Sequence, residues 1–217
     1  GLPMHSHSAQ AVGPRDCDRT SSGLSALTFT AHKIGGPIGV GALLLGRKTQ
    51  AVPVLHGGGQ ERDVRSGTLD TPAVAGFAAA VVESVKNREA KSELLTSLRD
   101  DLVARVREAV PDVIVNGDRG LGTGLPGIAN MAFPGCEGDS LLMLLDARGI
   151  ECSTGSACSA GVPQASHVLL AMGCTDAEAR GSLRFSLGHT STALDVDALV
   201  DAIGPVVERA RNAGQRK

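Results

Sequence analysis

From residue 72 to residue 110 the apolar side chains recur at helical spacing with almost no interruption. Val74, Phe77, Ala78, Val81 and Val85 open the series, and Leu94, Leu98, Leu102, Val106 and Val110 extend it at every fourth position. A helix of that extent spans roughly 60 Å, longer than a small domain is wide, so the segment is expected to join two bodies, with a break near Asn87. The domain division expected is therefore 1–89 and 90–217. The chain has 217 residues, 42% hydrophobic and 20% charged, enough apolar material for a real core.

On either side of the long segment the pattern shortens. Leu27, Phe29 and Ala31 alternate with Thr28 and Thr30, predicting a strand that ends at His32 and Lys33. Residues 40–45 form a short apolar run expected to be a buried strand, and residues 52–55 another extended piece. A glycine-and-charge loop, HGGGQERDVRSGTLDTP, covers 56–72. In the second half strands are expected at 113–115, 128–133, 150–152 and 182–187. Helices are expected at 139–148, with Asp139 as N-cap and Gly149 as stop, at 167–172, and at 194–211. The order of elements places the chain in the α/β or α+β class and excludes a helical bundle.

The net charge of −2, with no Trp, no Tyr and four Phe, leaves neither a basic footprint nor stacking side chains for nucleic acid. No apolar run reaches the roughly eighteen residues a membrane helix needs. The cysteines are Cys17, Cys136, Cys152, Cys158 and Cys174, an odd number without a CxxC pair. This pattern predicts free thiols in a reducing, cytoplasmic compartment and matches no zinc signature.

Three residues attract chemical readings. Lys33 precedes the glycines of FTAHKIGGPIG, so the order is not that of a phosphate-binding P-loop; it is either a solvated surface lysine or an amine that condenses with a carbonyl. Cys158 lies among small residues in ECSTGSACSAGVP, as a small buried thiol or as an accessible nucleophile. Arg184, in GSLRFSLG, shares a strand face with Ser182 and Ser186 and needs an anionic partner, either an internal acid or a ligand carboxylate.

Taken in order, with HSHSAQAVG, TAHKIGGPIGVGAL, HGGGQERDVRSGTLDTPAVAGF, NMAFPGCEGDSLLMLLD, STGSACSAG, QASHVLLAMG and GSLRFSLG around them, these residues closely resemble the cysteine desulfurases of the NifS/IscS type. These are pyridoxal-phosphate enzymes of the class V aminotransferase superfamily. The resemblance implies part of a fold-type I transferase: the remnant of a large mixed-sheet domain followed by a small α+β domain. It implies that Lys33 bonds the cofactor aldehyde, that Thr30 and His32 contact the cofactor and its phosphate, and that Gln10 meets the phenolic oxygen. Thr68 matches a phosphate contact supplied from a partner subunit in a homodimer. Arg184 matches the clamp on the carboxylate of L-cysteine. Cys158 matches the cysteine that carries a persulfide to a sulfur acceptor or iron-sulfur scaffold protein, and is a candidate transient iron-sulfur ligand; no other metal site is expected.

The sequence departs from the family pattern in three places. The family's phosphate loop, stacking histidine and active-site asparagine precede HSHSAQ and have no counterpart among these residues, which leaves a sheet expected to expose an apolar face or an unpaired edge. His7 stands where the family has the aspartate that pairs with the pyridine nitrogen. The stretch PRDCDRTSS is polar where the family is partly apolar. These departures open a second reading, a catalytically impaired remnant or a dimerisation or acceptor-binding module. A third reading is a selenocysteine lyase or a related class V aminotransferase.

Overall fold

The structure, a computed structural model, describes residues 2–117, 124–155 and 165–214. Two compact units divide the chain, Gly1–Lys91 and Ser92–Lys217. The long helical segment is two helices. Asp70 accepts a hydrogen bond from the Ala73 amide at 3.0 Å, and Pro72 occupies the first turn, so α1 (Thr71–Lys86) begins with a side-chain cap. Asn87 leaves helical geometry (φ −117°, ψ 26°), and α2 (Arg88–Ala109) starts at the next residue. The break falls where the apolar series predicted it.

In the first unit β1 (His5–His7) runs parallel to β2 (Ala26–Thr30), which pairs antiparallel with β3 (Gly41–Leu45). Sequence reasoning missed β1, whose three residues His-Ser-His carry no apolar alternation. The β2 strand stops at Thr30, and residues Ala31–Ile34 form a 3₁₀ turn closed by Gly35 in the left-handed region (φ 82°). Lys33 therefore rides on a turn and not on a strand end. The run expected to be a buried strand is instead an edge strand with Leu43 and Leu44 nearly half exposed, since nothing among the described residues pairs with its outer side. Residues 52–55 contribute only a bridge from Leu55 to Arg65, with Val52 and Val54 exposed.

The α1 helix packs through Phe77, whose ring meets Phe29 of β2 with centroids 5.3 Å apart and planes tilted by 60°. Two glycines permit the approach. A Cβ on Gly36 would lie 3.0 Å from the Cβ atoms of both Ala31 and Ala80, and one on Gly76 would lie 2.8 Å from Cγ of Pro37. The glycines after Lys33 thus serve a close contact between loop and helix. The polar stretch before β2 forms its own turn: Asp18 accepts from the amides of Thr20 and Ser21, Arg19 donates to the Leu24 carbonyl, and Asp16 pairs with Arg88 at 3.0 Å. Val74, Val82 and Val85 of α1 are apolar and exposed.

In the second unit β4 (Ile114–Asn116), β5 (Ile128–Ala132) and β6 (Ser182–Ser186) form an antiparallel sheet with β5 central. Leu98, Leu102 and Val106 of α2, Leu141 and Leu145 of α3 (Gly138–Asp146), and Ile203 and Val206 of α6 (Ala193–Gly214) are buried in one core. Met131, Leu183 and Phe185 meet them from one face of the sheet. Burying each such side chain contributes about 1.5–3 kcal/mol. Glu137, not Asp139, stands at the N-cap of α3, without a side-chain bond, and Gly149 turns the chain at φ 75°. Residues 150–152 are not a strand; only Ser153 bridges, to Arg184. The α4 helix (His167–Ala171) agrees with its apolar run, and α5 (Asp176–Arg180), missed in the sequence, is closed by a capping box between Thr175 and Glu178.

Candidate functional site

Parallel pairing sends the C-terminal ends of β1 and β2 to the same edge of the first sheet, the edge at which open α/β sheets bind ligands. His7 lies opposite Thr28, and the Ser8 amide continues the ladder to the Thr28 carbonyl at 2.8 Å. The chain then turns, burying Ala9 and leaving Gln10 exposed. From β2, Thr30, His32 and Lys33 leave the same edge. Thr30 Oγ1 lies 2.9 Å from Nδ1 of His32 and 3.3 Å from the Val40 carbonyl. A hydroxyl has one proton to give, so when it goes to Val40 the imidazole donates from Nδ1 and leaves Nε2 as an acceptor. Ala31 is fully buried beneath this group, while His32 and Lys33 point to the surface. His5, which sequence reasoning did not single out, bonds Thr28 through Nε2 at 2.7 Å; only the pairing of β1 with β2 reveals it.

Thr68 is exposed in a loop folded back on itself, where the Gly67 amide donates to Gln60 Oε1 at 2.9 Å and the Gly59 amide to Ser66 Oγ at 3.2 Å. Glu61, Arg62 and Asp63 all have positive φ, at 51°, 58° and 61°, a left-handed turn that costs about 1–2 kcal/mol per residue. Among the described residues no hydrogen bond joins Thr68 to Thr30, His32 or Lys33.

In the second unit Arg184 is half-buried on β6. Its Nε–H donates to Ser186 Oγ at 3.2 Å, and no acidic side chain among the described residues pairs with it. Its backbone is held on both sides. Asn130 is its register partner on β5, and Ser153 exchanges two hydrogen bonds with it, at 2.7 and 3.1 Å. Ser153 stands five residues before Cys158 in the sequence. Cys158 itself lies outside the described residues. Of the other thiols, burial and then the Asp146 carboxylate push Cys152 up to about 11. Burial likewise raises Cys136 and Cys17. These three are protonated, weak nucleophiles at neutral pH. Among the described residues no group of three His, Cys, Asp or Glu side chains is placed to hold a metal ion, and no helix is long and apolar enough to cross a membrane.

Gln10, Thr30, His32 and Lys33, which leave the first sheet, offer an amide, a hydroxyl, an imidazole and a primary amine, with no carboxylate among them. That donor set is compatible with an anionic ligand that carries a carbonyl group.

Residues 2–199 match the family described as aminotransferase class-V. An IscS-like cysteine desulfurase of Mycobacterium tuberculosis is 56% identical over 214 residues, covering 98% of this chain and 54% of that protein. The cysteine desulfurase NifS of Azotobacter vinelandii is 37% identical over 212 residues, covering 98% and 52%. A NifS-like protein from Rickettsia africae superposes with a TM-score of 0.84 at 30% identity, over 95% of this chain and 54% of that one. The chain thus spans about half the length of the curated relatives it matches, and its mixed α/β architecture is the corresponding portion of their fold. The family match over most of the chain, together with this superposition, leads to one assignment: the chain belongs to the class V aminotransferases.

Proposed function

We propose that this chain carries the cofactor lysine, the substrate-binding arginine and the sulfur-carrying cysteine of a pyridoxal-phosphate-dependent cysteine desulfurase. The observation that carries the proposal is the parallel pairing of β1 with β2, which delivers His7 and Gln10 with Thr30, His32 and Lys33 to one sheet edge. Lys33 would hold the cofactor through its amine, Thr30, His32 and Thr68 would serve its phosphate, Gln10 its phenolic oxygen and His7 its ring nitrogen. Bound there, pyridoxal phosphate supplies an electron sink for carbanion chemistry at the substrate's α-carbon. Lys33 Nζ removes the α-proton of L-cysteine, while Arg184 holds the carboxylate. The Cys158 thiolate takes the substrate sulfur as a persulfide and the carbon skeleton leaves as L-alanine. The sulfur then passes to an acceptor protein, and Thr68 serves a second copy of the chain in a homodimer.

The test is an absorption titration of the purified chain with pyridoxal phosphate, followed by assays of alanine and sulfide. A visible band bleached by borohydride and lost in Lys33→Ala is expected, with turnover of L-cysteine lost in Cys158→Ala. A chain that binds the cofactor equally well without Lys33 would overturn the proposal.

A further inference from the structure

The face of the second sheet turned away from its core carries a polar row. Asn116 on β4 is opposite Asn130 on β5, and Asn130 is opposite Arg184 on β6. Residues directly opposite in antiparallel pairs hold their Cβ atoms about 4.5–5.5 Å apart. The hydrogen bonds fix which way each amide points. Ser182 Oγ gives its one proton to the Glu178 carbonyl at 2.7 Å, so toward Asn116, at 3.2 Å, it can only accept. Asn116 therefore presents its NH₂ on that side. The same NH₂ reaches Asn130 Oδ1 at 2.8 Å, while the Cys174 thiol donates to Asn116 Oδ1 at 3.5 Å. Asn130 is thereby compelled to offer its oxygen to β4. Its own NH₂ donates to nothing among the described residues. Beside it, Arg184 spends Nε on Ser186, and among the described residues both its Nη groups donate to nothing. Asn130 and Arg184 together present only donors.

We propose that Asn130 Nδ2 and the Arg184 guanidinium form one carboxylate site, with Asn130 a binding residue for the substrate carboxylate. This rests on the reading of Arg184 as the substrate clamp. A guanidinium fork satisfies one lone pair on each carboxylate oxygen, and an amide N–H at its flank takes one of those remaining. The chain Glu178 carbonyl, Ser182, Asn116, Asn130 sets the orientation of that amide before substrate arrives, so the ordering cost falls on folding and not on binding.

The test is an NMR titration of the intact, cofactor-loaded chain, labelled with nitrogen-15, with L-alanine and with L-alaninol, which lacks the carboxylate. The side-chain signals of Asn130 and Arg184 should both move with L-alanine and stay still with L-alaninol. Asn130→Ala and the isosteric Asn130→Asp should weaken L-alanine binding about tenfold, or about 1.4 kcal/mol, and raise the KM for L-cysteine by a similar factor, with the smaller part of the effect in kcat. An Asn130 signal that stays still while Arg184 responds overturns the inference and leaves the arginine clamp standing. So does a variant that weakens both compounds equally. If neither signal responds to L-alanine, the clamp itself fails. Should a variant not fold, the wild-type titration decides alone.

Discussion

Replacing Gly76 with alanine sets two effects of opposite sign against each other. Gly76 lies inside α1, where alanine is favoured over glycine by about 0.8–1.0 kcal/mol. The new Cβ, however, would stand 2.8 Å from Cγ and 3.3 Å from Cδ of Pro37. The proline ring cannot rotate away, and its neighbour Gly36 is wedged between Ala31 and Ala80, so the loop resists moving. Overpacking of this kind costs about 1–3 kcal/mol. The clash should win, and Gly76→Ala should destabilise the chain by about 1 kcal/mol. Pro37→Ala removes Cγ and Cδ, and in that background the same change should stabilise by nearly 1 kcal/mol, a coupling of about 2 kcal/mol. Urea denaturation of the four proteins in the cycle measures it; the effect of Pro37→Ala on the unfolded chain cancels. A coupling under about 0.5 kcal/mol, or a stabilised Gly76→Ala protein, would show that the loop bearing Lys33 does not rest on α1 as described.

Leu102 is 1% exposed at the centre of the second core, and Leu102→Ala should cost about 2–5 kcal/mol in the same assay. Cys152, raised to about 11 by burial and by Asp146, binds its proton more tightly folded than unfolded. Its contribution to stability is whole below about pH 9, where the unfolded thiol titrates, and falls away as the pH rises toward 11. Melting curves across that range should show a loss in the wild type that Cys152→Ala lacks. On the proposed function, His7→Asp should speed removal of the α-proton of L-cysteine, since a carboxylate holds a proton on the ring nitrogen better than a neutral imidazole. Exchange of that hydrogen with deuterated solvent follows the step, and an unchanged rate would remove His7 from the cofactor's surroundings.

The longer helices were legible because their signal is local and periodic, whereas the five residues of α5 are too few to show one. The break at Asn87, the α4 run ending at Gly173 and the stripe of Leu98, Leu102 and Val106 can all be read within one helix's own spacing. The motifs around Lys33, Cys158 and Arg184 were legible as words, and they located the family before any fold was in hand. The 3₁₀ turn under Lys33 was not, because Ala31 and His32 continue the strand's alternation and only the return of the chain at Val40 bends it. The edge position of β3 was hidden for a similar reason: an apolar run does not say whether a neighbour will cover it.

The amino-acid sequence by itself determined the registers of the longer helices and the residue types available for chemistry, since spacing along a chain decides which side chains can share a face. Tertiary structure alone decided which of those residues become neighbours. His5 meets Thr28, Ser153 bridges to Arg184, and the Asn116 amide turns Asn130 toward donation, all through pairings between separate segments of the chain. A hydrogen bond of 2.8 Å from Asn116 to Asn130 depends on strand register, and register is set by cores that only the folded chain assembles.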